Sequence, residues 1–252
     1  MTWTVVTGGA SGIGEAVTRR LRKAGYSVVI VDCSAPADNT DSNDIIFRQI
    51  DISDEAAVEA LAAELEESGV RPEALITCAG VLQRPLPPDK LSWKEWDLVQ
   101  NVHLRGTYAC CKSFGSRMAS RGGPGAIVTV SSVAGLQSSP LHSYGPAKAA
   151  IAHLTRSLAM EWGRQGVRVN CVAPGFTKTP ALDRGMTRKV LSATAMEKFS
   201  ALGRLVESDE VAAAIEFLIS PASSGITGVV LPVDAGNLAA APWRAYESGE
   251  PG

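Results

Sequence analysis

The fold is decided close to the amino terminus by the stretch Thr7-Gly8-Gly9-Ala10-Ser11-Gly12-Ile13-Gly14. This stretch follows an apolar run, Trp3–Thr7, that is typical of a buried strand, and it opens a helical pattern over Gly12–Ala24. Glycines let a backbone turn tightly and approach a ligand closely. The N–H groups and dipole at the start of a helix favour a phosphate. The stretch therefore predicts a phosphate-binding turn or, alternatively, a tight turn that needs glycine for steric reasons alone.

The rest of the chain alternates between short apolar runs and helical patterns. Parallel strands buried on both faces appear as continuous apolar runs, and their crossovers need a helix. The pattern therefore predicts an α/β fold, a doubly wound parallel sheet of about seven strands with helices on both faces. After Trp3–Thr7, the predicted strands are Ser27–Val31, Ile45–Ile50, Ala74–Cys78, Ala126–Val130, Val167–Val172 and Val229–Val233. After Gly12–Ala24, the predicted helices are Glu55–Ser68, a long stretch near Trp93–Arg121, Ser143–Gly163 and Ser208–Ser220, while Ser34–Asp44 is predicted to be a loop.

Composition excludes several classes of function. With 252 residues, 45% apolar and 20% charged residues and a formal net charge of -2, the chain resembles an ordinary globular domain, and a nucleic-acid or membrane partner is not indicated. The five cysteines are odd in number and lack CxxC spacing, so neither a disulfide framework nor a metal site is supported. No secretory signal follows Met1, and we expect a cytoplasmic protein.

Asp32 ends the second predicted strand, eighteen residues beyond Gly14. At about this offset a carboxylate can accept hydrogen bonds from an adenosine ribose. The same carboxylate would repel a 2′-phosphate, and the glycine turn contains no Lys or Arg, so the charges favour NAD over NADP. The alternative is a solvated residue at the end of a strand.

Several further motifs occur in a recognisable order. Together with TGGASGIG, they are Asn101, SSVAG at Ser131–Gly135, the Tyr144-Gly-Pro-Ala-Lys148 segment and PGFTKT at Pro174–Thr179. The chain resembles the short-chain dehydrogenase/reductase family over nearly its whole length. The resemblance implies a single Rossmann-like domain over residues 1–252 that transfers a hydride between NAD(H) and a small-molecule secondary alcohol or ketone.

Tyr144 and Lys148 lie four residues apart in a predicted helix, so their side chains share one face. A cation about 4 Å from a phenol could lower the phenol's pKa by roughly three units. Such a phenol can donate a proton to a carbonyl oxygen or accept one from an alcohol. The alternative is an amphipathic tyrosine and a solvated lysine on a helix surface.

The resemblance also assigns roles to other residues. Ser132 would hydrogen-bond the substrate oxygen, although Ser131 competes for this role, and Asn101 would hold a water that joins Lys148 to solvent. The resemblance further implies a homotetramer. The mix of apolar and basic residues near 180–204 is compatible with a substrate lid or, alternatively, with an amphipathic packing helix, and residues 237–252 form a small and polar carboxyl-terminal tail. The cofactor-binding residues that it implies are Gly8, Ser11, Gly12, Ile13, Gly14, Asp32, Asp51, Ile52, Ala79, Gly80, Tyr144, Lys148, Pro174, Gly175, Thr177 and Thr179.

The sequence departs from the family pattern at two places. The connection from Ser132 to Tyr144 is one residue shorter than expected, and Cys78 replaces an asparagine after the fourth strand. Two other functions remain open. One is a catalytically silent NAD-binding sensor or scaffold, and the other is an epimerase or dehydratase in which NAD is reduced and reoxidised within one turnover.

Overall fold

The computed structural model describes residues 2–37, 42–187 and 191–240. Its centre is a seven-stranded sheet in the order β3-β2-β1-β4-β5-β6-β9, with every neighbouring pair parallel. The predicted doubly wound sheet is thus confirmed. The strands are β1 (Trp3–Thr7), β2 (Ser27–Asp32), β3 (Ile45–Gln49), β4 (Pro72–Thr77), β5 (Gly125–Val130), β6 (Val167–Pro174) and β9 (Val230–Val233).

Helices cover both faces of the sheet. On one face α1 and α9 pack together, and Val17 and Ile215 are buried there with side chains from the sheet. The other face buries residues of α2, of the helical stretch α3–α5 and of α6, including Leu61 and Phe114. These helices are α1 (Gly12–Lys23), α2 (Glu55–Glu67), α3 (Trp93–Gln100), α4 (Thr107–Cys110), α5 (Ser116–Arg121), α6 (Tyr144–Trp162) and α9 (Ser208–Ile219).

The long helix predicted near Trp93–Arg121 is continuous but irregular. Two π-helical segments interrupt it, Asn101–Gly106 between α3 and α4 and Cys111–Gly115 between α4 and α5. A π-helical turn holds one more residue than an α-helical turn and frequently marks a functional site. The first of these segments therefore changes which residues face the sheet.

The region after β6 contains elements that the strand and helix pattern did not predict. Two-residue strands β7 (Thr177–Lys178) and β8 (Val206–Glu207) pair in parallel as a separate small sheet. Between them lie α7 (Pro180–Thr187) and α8 (Ala193–Lys198), and α10 (Asn237–Ala240) follows β9. Two-residue strands are too short for a periodic signal, so they could not be identified from hydropathy alone.

The order of strands places a crevice between β1 and β4. The chain runs outward from β1 to β3 and then crosses back to β4, so the connections diverge at the carboxyl ends of these two strands. Ligands of open α/β sheets bind at such a point. Among the described residues, no helix is long and apolar enough to cross a membrane.

Candidate active site

The glycine-rich turn lies at this crevice, and its glycines are required by close contacts. A Cβ on Gly8 would lie 2.7 Å from the Cα of Ala79, and a Cβ on Gly14 would lie 2.0 Å from the carbonyl oxygen of Gly8. Gly8 and Gly12 also have positive φ angles of 66° and 56°. Ser11 is the N-cap of α1, yet its exposed side chain makes no capping hydrogen bond within the described chain. The turn thus presents backbone N–H groups and a free hydroxyl, a fitting cradle for a phosphate.

Asp32 is held at the end of β2 beside this turn. Its Oδ2 accepts a hydrogen bond from the backbone N–H of Ala10 (3.1 Å), and its Oδ1 accepts one from Ser34 N–H (3.0 Å). No Lys or Arg occurs in the sequence between Lys23 and Arg48. The negative charge of Asp32 is therefore fixed in place without a cation supplied by this stretch.

The remaining predicted cofactor residues differ in their contacts and in their burial. Gly12 faces Thr179, whose Cγ2 lies 3.4 Å from the position of a Gly12 Cβ, and Thr179 Oγ1 also accepts from Leu182 N–H at the start of α7. A Cβ on Gly175 would lie 2.8 Å from Asp234 Cα. Pro174, Thr177 and Ile52 are buried, Ile13 is half-buried against the core, and Asp51 is exposed.

Tyr144 and Lys148 stand in the first turns of α6, as the sequence predicted. The Nζ of Lys148 lies 5.5 Å from the centroid of the Tyr144 ring and donates a hydrogen bond to the carbonyl oxygen of Val130 (2.7 Å). Ser131 and Ser132 have different partners. Ser131 Oγ is buried and donates to the carbonyl oxygen of Lys148 (2.7 Å), whereas Ser132 Oγ accepts from the N–H of Ala134 (3.1 Å) and interacts with the Tyr144 hydroxyl. The two candidates for the contact with the substrate oxygen therefore differ in position. Ser131 is bonded to the backbone of α6, whereas the Ser132 hydroxyl lies beside the Tyr144 phenol.

The electrostatics differ from the sequence-based expectation. Burial raises the pKa of Tyr144 above its usual value, and the hydrogen bond with Ser132 only partly opposes this effect. Burial also lowers the pKa of Lys148 to about 8, although interactions with the Cys171 and Cys78 thiols act to raise it. The Tyr144 pKa is therefore not lowered below its usual value, as the sequence analysis expected, because desolvation of the phenol dominates.

The prediction for Asn101 needs a correction. Its side chain is exposed, at the first residue of the π-helical segment. The residue of this segment that reaches the site is His103, which is 3% exposed and whose ring meets the Tyr144 ring edge-on, with 5.0 Å between centroids. The burial pattern explains the difference, because Val99, Val102 and Gly106 form the inward stripe of the helix and His103 belongs to that stripe while Asn101 does not.

Two glutamines that the sequence analysis did not single out fix the start of α6. Gln83 is buried, and its Oε1 accepts hydrogen bonds from the N–H groups of Ser143 (2.9 Å) and Tyr144 (2.8 Å). Gln100 Nε2 donates to the carbonyl oxygen (2.8 Å) and the hydroxyl (3.0 Å) of Ser143. Neither glutamine belongs to a motif, so only the folded chain reveals them.

The segments predicted as a lid and a tail are partly described. In α7, Leu182 and Met186 are half-buried and Arg184 is exposed, whereas residues 188–190 lie outside the described chain. Asn237, at the start of the predicted tail, is buried and receives a hydrogen bond from Gln137 Nε2 (2.9 Å). This contact joins the tail to the connection before α6. Residues 241–252, including Trp243 and Tyr246, also lie outside the described chain.

Comparison with known proteins identifies relatives of the whole chain. A family model described as enoyl-(acyl carrier protein) reductase matches residues 8–237. Galactitol 2-dehydrogenase of Rhizobium johnstonii is 37% identical over 246 residues, covering 92% of this chain and 93% of the relative. The cis-4-hydroxycyclohexanecarboxylate dehydrogenase of Sinomonas cyclohexanicum is 38% identical over 242 residues, covering 93% and 96%. A crystal structure of ribose-5-phosphate isomerase from Brucella melitensis 16M superposes with a TM-score of 0.92 and 46% identity, covering 99% of this chain and 97% of that one.

Proposed function

Because the chain belongs to the short-chain dehydrogenase/reductase family, we propose that it is an NAD-dependent oxidoreductase acting on a secondary alcohol or ketone. The observation that carries this proposal is the arrangement of Tyr144, Ser132 and Lys148 at the carboxyl edge of the sheet, next to the glycine-rich turn. A bound nicotinamide cofactor would supply the hydride acceptor or donor. Tyr144 would exchange the proton with the substrate oxygen.

The proposed roles follow from what each group contacts. The Ser132 hydroxyl interacts with that of Tyr144, so a substrate oxygen that meets both hydroxyls would be oriented for proton transfer. The ammonium group of Lys148 donates a hydrogen bond to the carbonyl oxygen of Val130. It is positively charged at neutral pH, because burial lowers its pKa only to about 8. That charge favours the phenolate form of Tyr144 when the phenol loses its proton.

The choice of NAD rests on Asp32 and its surroundings. Its carboxylate is oriented by Ala10 and Ser34, and the sequence from Ala24 to Phe47 offers no cation that could neutralise a 2′-phosphate. The carboxylate would repel a 2′-phosphate at this position, and no cation of this stretch would offset the repulsion. NAD, which has a ribose hydroxyl there, could instead donate a hydrogen bond to Asp32.

The proposal includes a substrate lid formed by residues 180–204 and a homotetramer. Several apolar side chains of helices on the sheet faces are exposed in the single chain, notably Leu98, Tyr108, Met160 and Phe217. Contacts between copies would bury such surfaces. A single domain and a cytoplasmic location are part of the same proposal, since an odd number of cysteines without disulfide spacing suits a reducing compartment.

The test follows the absorbance of reduced nicotinamide while the protein is offered NAD or NADP with polyols, cyclic secondary alcohols and hydroxy acids. We expect a signal with NAD that disappears in Tyr144→Phe, and light scattering should report a tetramer. A signal with NADP alone would reject the role of Asp32. Conversion of ribose 5-phosphate without net cofactor reduction would favour an isomerase, and cofactor binding without any turnover would favour a sensor or scaffold.

A further inference from the structure

Three connections of the chain lie side by side at the carboxyl edge of the sheet, because they follow the neighbouring parallel strands β5, β6 and β9. The first, residues 131–143, contains Ser132 and leads to Tyr144 at the start of α6. The second contains α7 and α8, and the third is the turn 234–237 that leads into α10. A substrate that reaches Ser132 and Tyr144 would therefore meet these connections beyond its reacting carbon.

Asn237, in the third connection, is hydrogen-bonded to both of the others. Its Oδ1 accepts from Nε2 of Gln137 (2.9 Å), which lies in the connection after β5. Its Nδ2 donates to the carbonyl oxygen of Phe199 (3.0 Å), just after α8. The two partners lie 100 and 38 positions away in the sequence. Asn237 is 3% exposed, so water cannot easily replace either bond if it is lost.

The turn that carries Asn237 is itself held in one conformation. The two carboxylate oxygens of Asp234 accept from the N–H groups of Gly236 (2.9 Å) and Leu238 (2.8 Å). Ala235 has a φ angle of 51°, and no other non-glycine residue in the described part of the chain has a positive φ. A side chain makes this conformation unfavourable, so it persists only where surrounding contacts impose it. The turn is therefore a firm support for the amide of Asn237.

The same turn also holds the segment that follows α8. The carbonyl oxygen of Ala235 accepts from the N–H of Leu202 (3.1 Å) and from the hydroxyl of Ser200 (2.8 Å). A Cβ on Gly236 would lie 2.5 Å from Cβ of Ala201, so the two backbones are in close contact. Together with the bond from the amide, the turn thus contacts four successive residues of this segment.

The connection after β5 is joined to this assembly at a single position. Gln137 is exposed, and its backbone N–H donates to the carbonyl oxygen of Val133 (3.0 Å) within the same connection. Among the residues that the structure describes, the bond between Gln137 and Asn237 is the hydrogen-bonded link from this connection to those after β6 and β9. Removing one amide contact should therefore separate the two sides.

We propose that Asn237 is a positioning residue for the substrate, which holds the connection after β5 against the segment after α8. This inference rests on the proposed function. The two connections form facing walls for the part of the substrate beyond its reacting carbon, so their separation affects substrate binding. Tyr144 keeps its own anchor, because its N–H is bonded to Gln83. Proton transfer and cofactor binding therefore do not depend on the amide of Asn237.

A first experiment needs no substrate and uses the exposed partner of the bond. Gln137→Met keeps the length of the side chain but removes the donor, whereas Gln137→Lys keeps a donor. Hydrogen exchange of the full chain is followed at the N–H of Leu202, which lies on the opposite side of Asn237 from Gln137. We expect this exchange to become about threefold or more faster in Gln137→Met and to stay near the wild-type rate in Gln137→Lys. Gln165→Met, exposed beyond the far end of α6, should leave it unchanged.

A second experiment measures kinetics with NAD and either sorbitol or cyclohexanol, whichever the wild type oxidises. We expect Gln137→Met to raise KM for the alcohol about fivefold, while kcat, the NADH dissociation constant and the pH profile change by less than about twofold. Gln137→Lys should restore most of the loss. Asn237→Ala should raise KM at least as much, and adding Gln137→Met to it should have little further effect, because the bond is already lost.

The outcomes separate this inference from the proposed function. Wild-type exchange at Leu202 or a wild-type KM in Gln137→Met would overturn the inference, and so would equal changes in Gln137→Met and Gln137→Lys. A fall in kcat and in NADH affinity that matches the rise in KM would also overturn it, since it would indicate general damage to the fold. Failure of the wild type to transfer a hydride would instead reject the proposed function, and exchange at Leu202 would then decide whether Asn237 joins the two connections.

Discussion

Asp32 and Ala10 are joined by a hydrogen bond from the Ala10 N–H to Oδ2 of the carboxylate, over 3.1 Å. The end of β2 and the glycine-rich turn are therefore fixed relative to each other. Asp32 consequently has two effects that a substitution can separate. It supplies an acceptor that orders the turn, and it supplies a negative charge at the proposed ribose site.

Asp32→Asn should separate the charge from the acceptor. The amide oxygen can still accept from the Ala10 N–H, but the repulsion of a 2′-phosphate is removed. We expect the ratio of kcat/KM for NAD over NADP to fall by about tenfold or more, with the melting temperature nearly unchanged. Glu15→Gln on the exposed face of α1 removes the same charge as a control. An unchanged ratio would show that the cofactor preference comes from elsewhere.

The raised pKa of Tyr144, caused by burial, predicts opposite pH dependences for the two reaction directions. Reduction needs the protonated phenol, which persists through neutral pH, whereas oxidation needs the phenolate, which increases as pH rises toward the pKa. We expect kcat/KM for alcohol oxidation to increase between pH 6 and pH 9 and that for ketone reduction to stay level or fall. A level oxidation profile over this range would contradict the assignment, and Tyr108→Phe, at an exposed position, is the matched control for Tyr144→Phe.

Gln83→Leu should weaken the start of α6. It leaves the N–H groups of Ser143 and Tyr144 without their buried acceptor, and each loss costs free energy because water cannot replace the glutamine easily. We expect the free energy of unfolding to fall by about 2 kcal/mol and kcat to fall with it, as Tyr144 loses its anchor. Gln83→Glu keeps an acceptor at a helix N-terminus and should retain most of both quantities. Equal stability of Gln83→Leu and Gln83→Glu in denaturant titrations would disprove the capping role.

These residues show where sequence patterns succeed and where they fail. The strands were predictable because parallel strands buried on both faces, such as β5 and β6, are continuous apolar runs. Tyr144 and Lys148 were predictable because four residues separate them on one helix. Gln83 was not, since it lies in an irregular connection and acts on a residue about sixty positions later. The role predicted for Asn101 was wrong because it followed from the order of the motifs along the sequence. The burial of His103 depends instead on which side of the folded helix faces the sheet.

Lys148→Met should change how stability depends on pH. Burial lowers the pKa of Lys148 to about 8, below the 10.5 of a free lysine, so between these values the unfolded chain binds more protons than the folded chain. The cost of burying the charge is therefore complete below about pH 8 and is relieved as pH rises toward 10.5. Between pH 7 and pH 9 the free energy of unfolding of the wild type should rise by about 1 kcal/mol relative to Lys148→Met. Parallel curves for the two proteins would refute a lowered pKa.

Gly80→Ala tests the packing of His103 without any cofactor. The added Cβ would lie 2.4 Å from Cε1 of the imidazole, so ring or backbone must shift, at a cost of about 1–3 kcal/mol. In a His103→Asn background the shorter side chain leaves space, and the same substitution should cost less. A double-mutant cycle is measured by thermal or denaturant unfolding. The two substitutions together should cost less than the sum of their separate costs, by about 1 kcal/mol or more. Gly163→Ala, which meets no atom within 4 Å, controls for the general effect of replacing glycine. Additive costs in the cycle would mean that Gly80 is needed for a contact other than the one with His103, and the packing of the imidazole between Gly80 and Tyr144 would have to be abandoned.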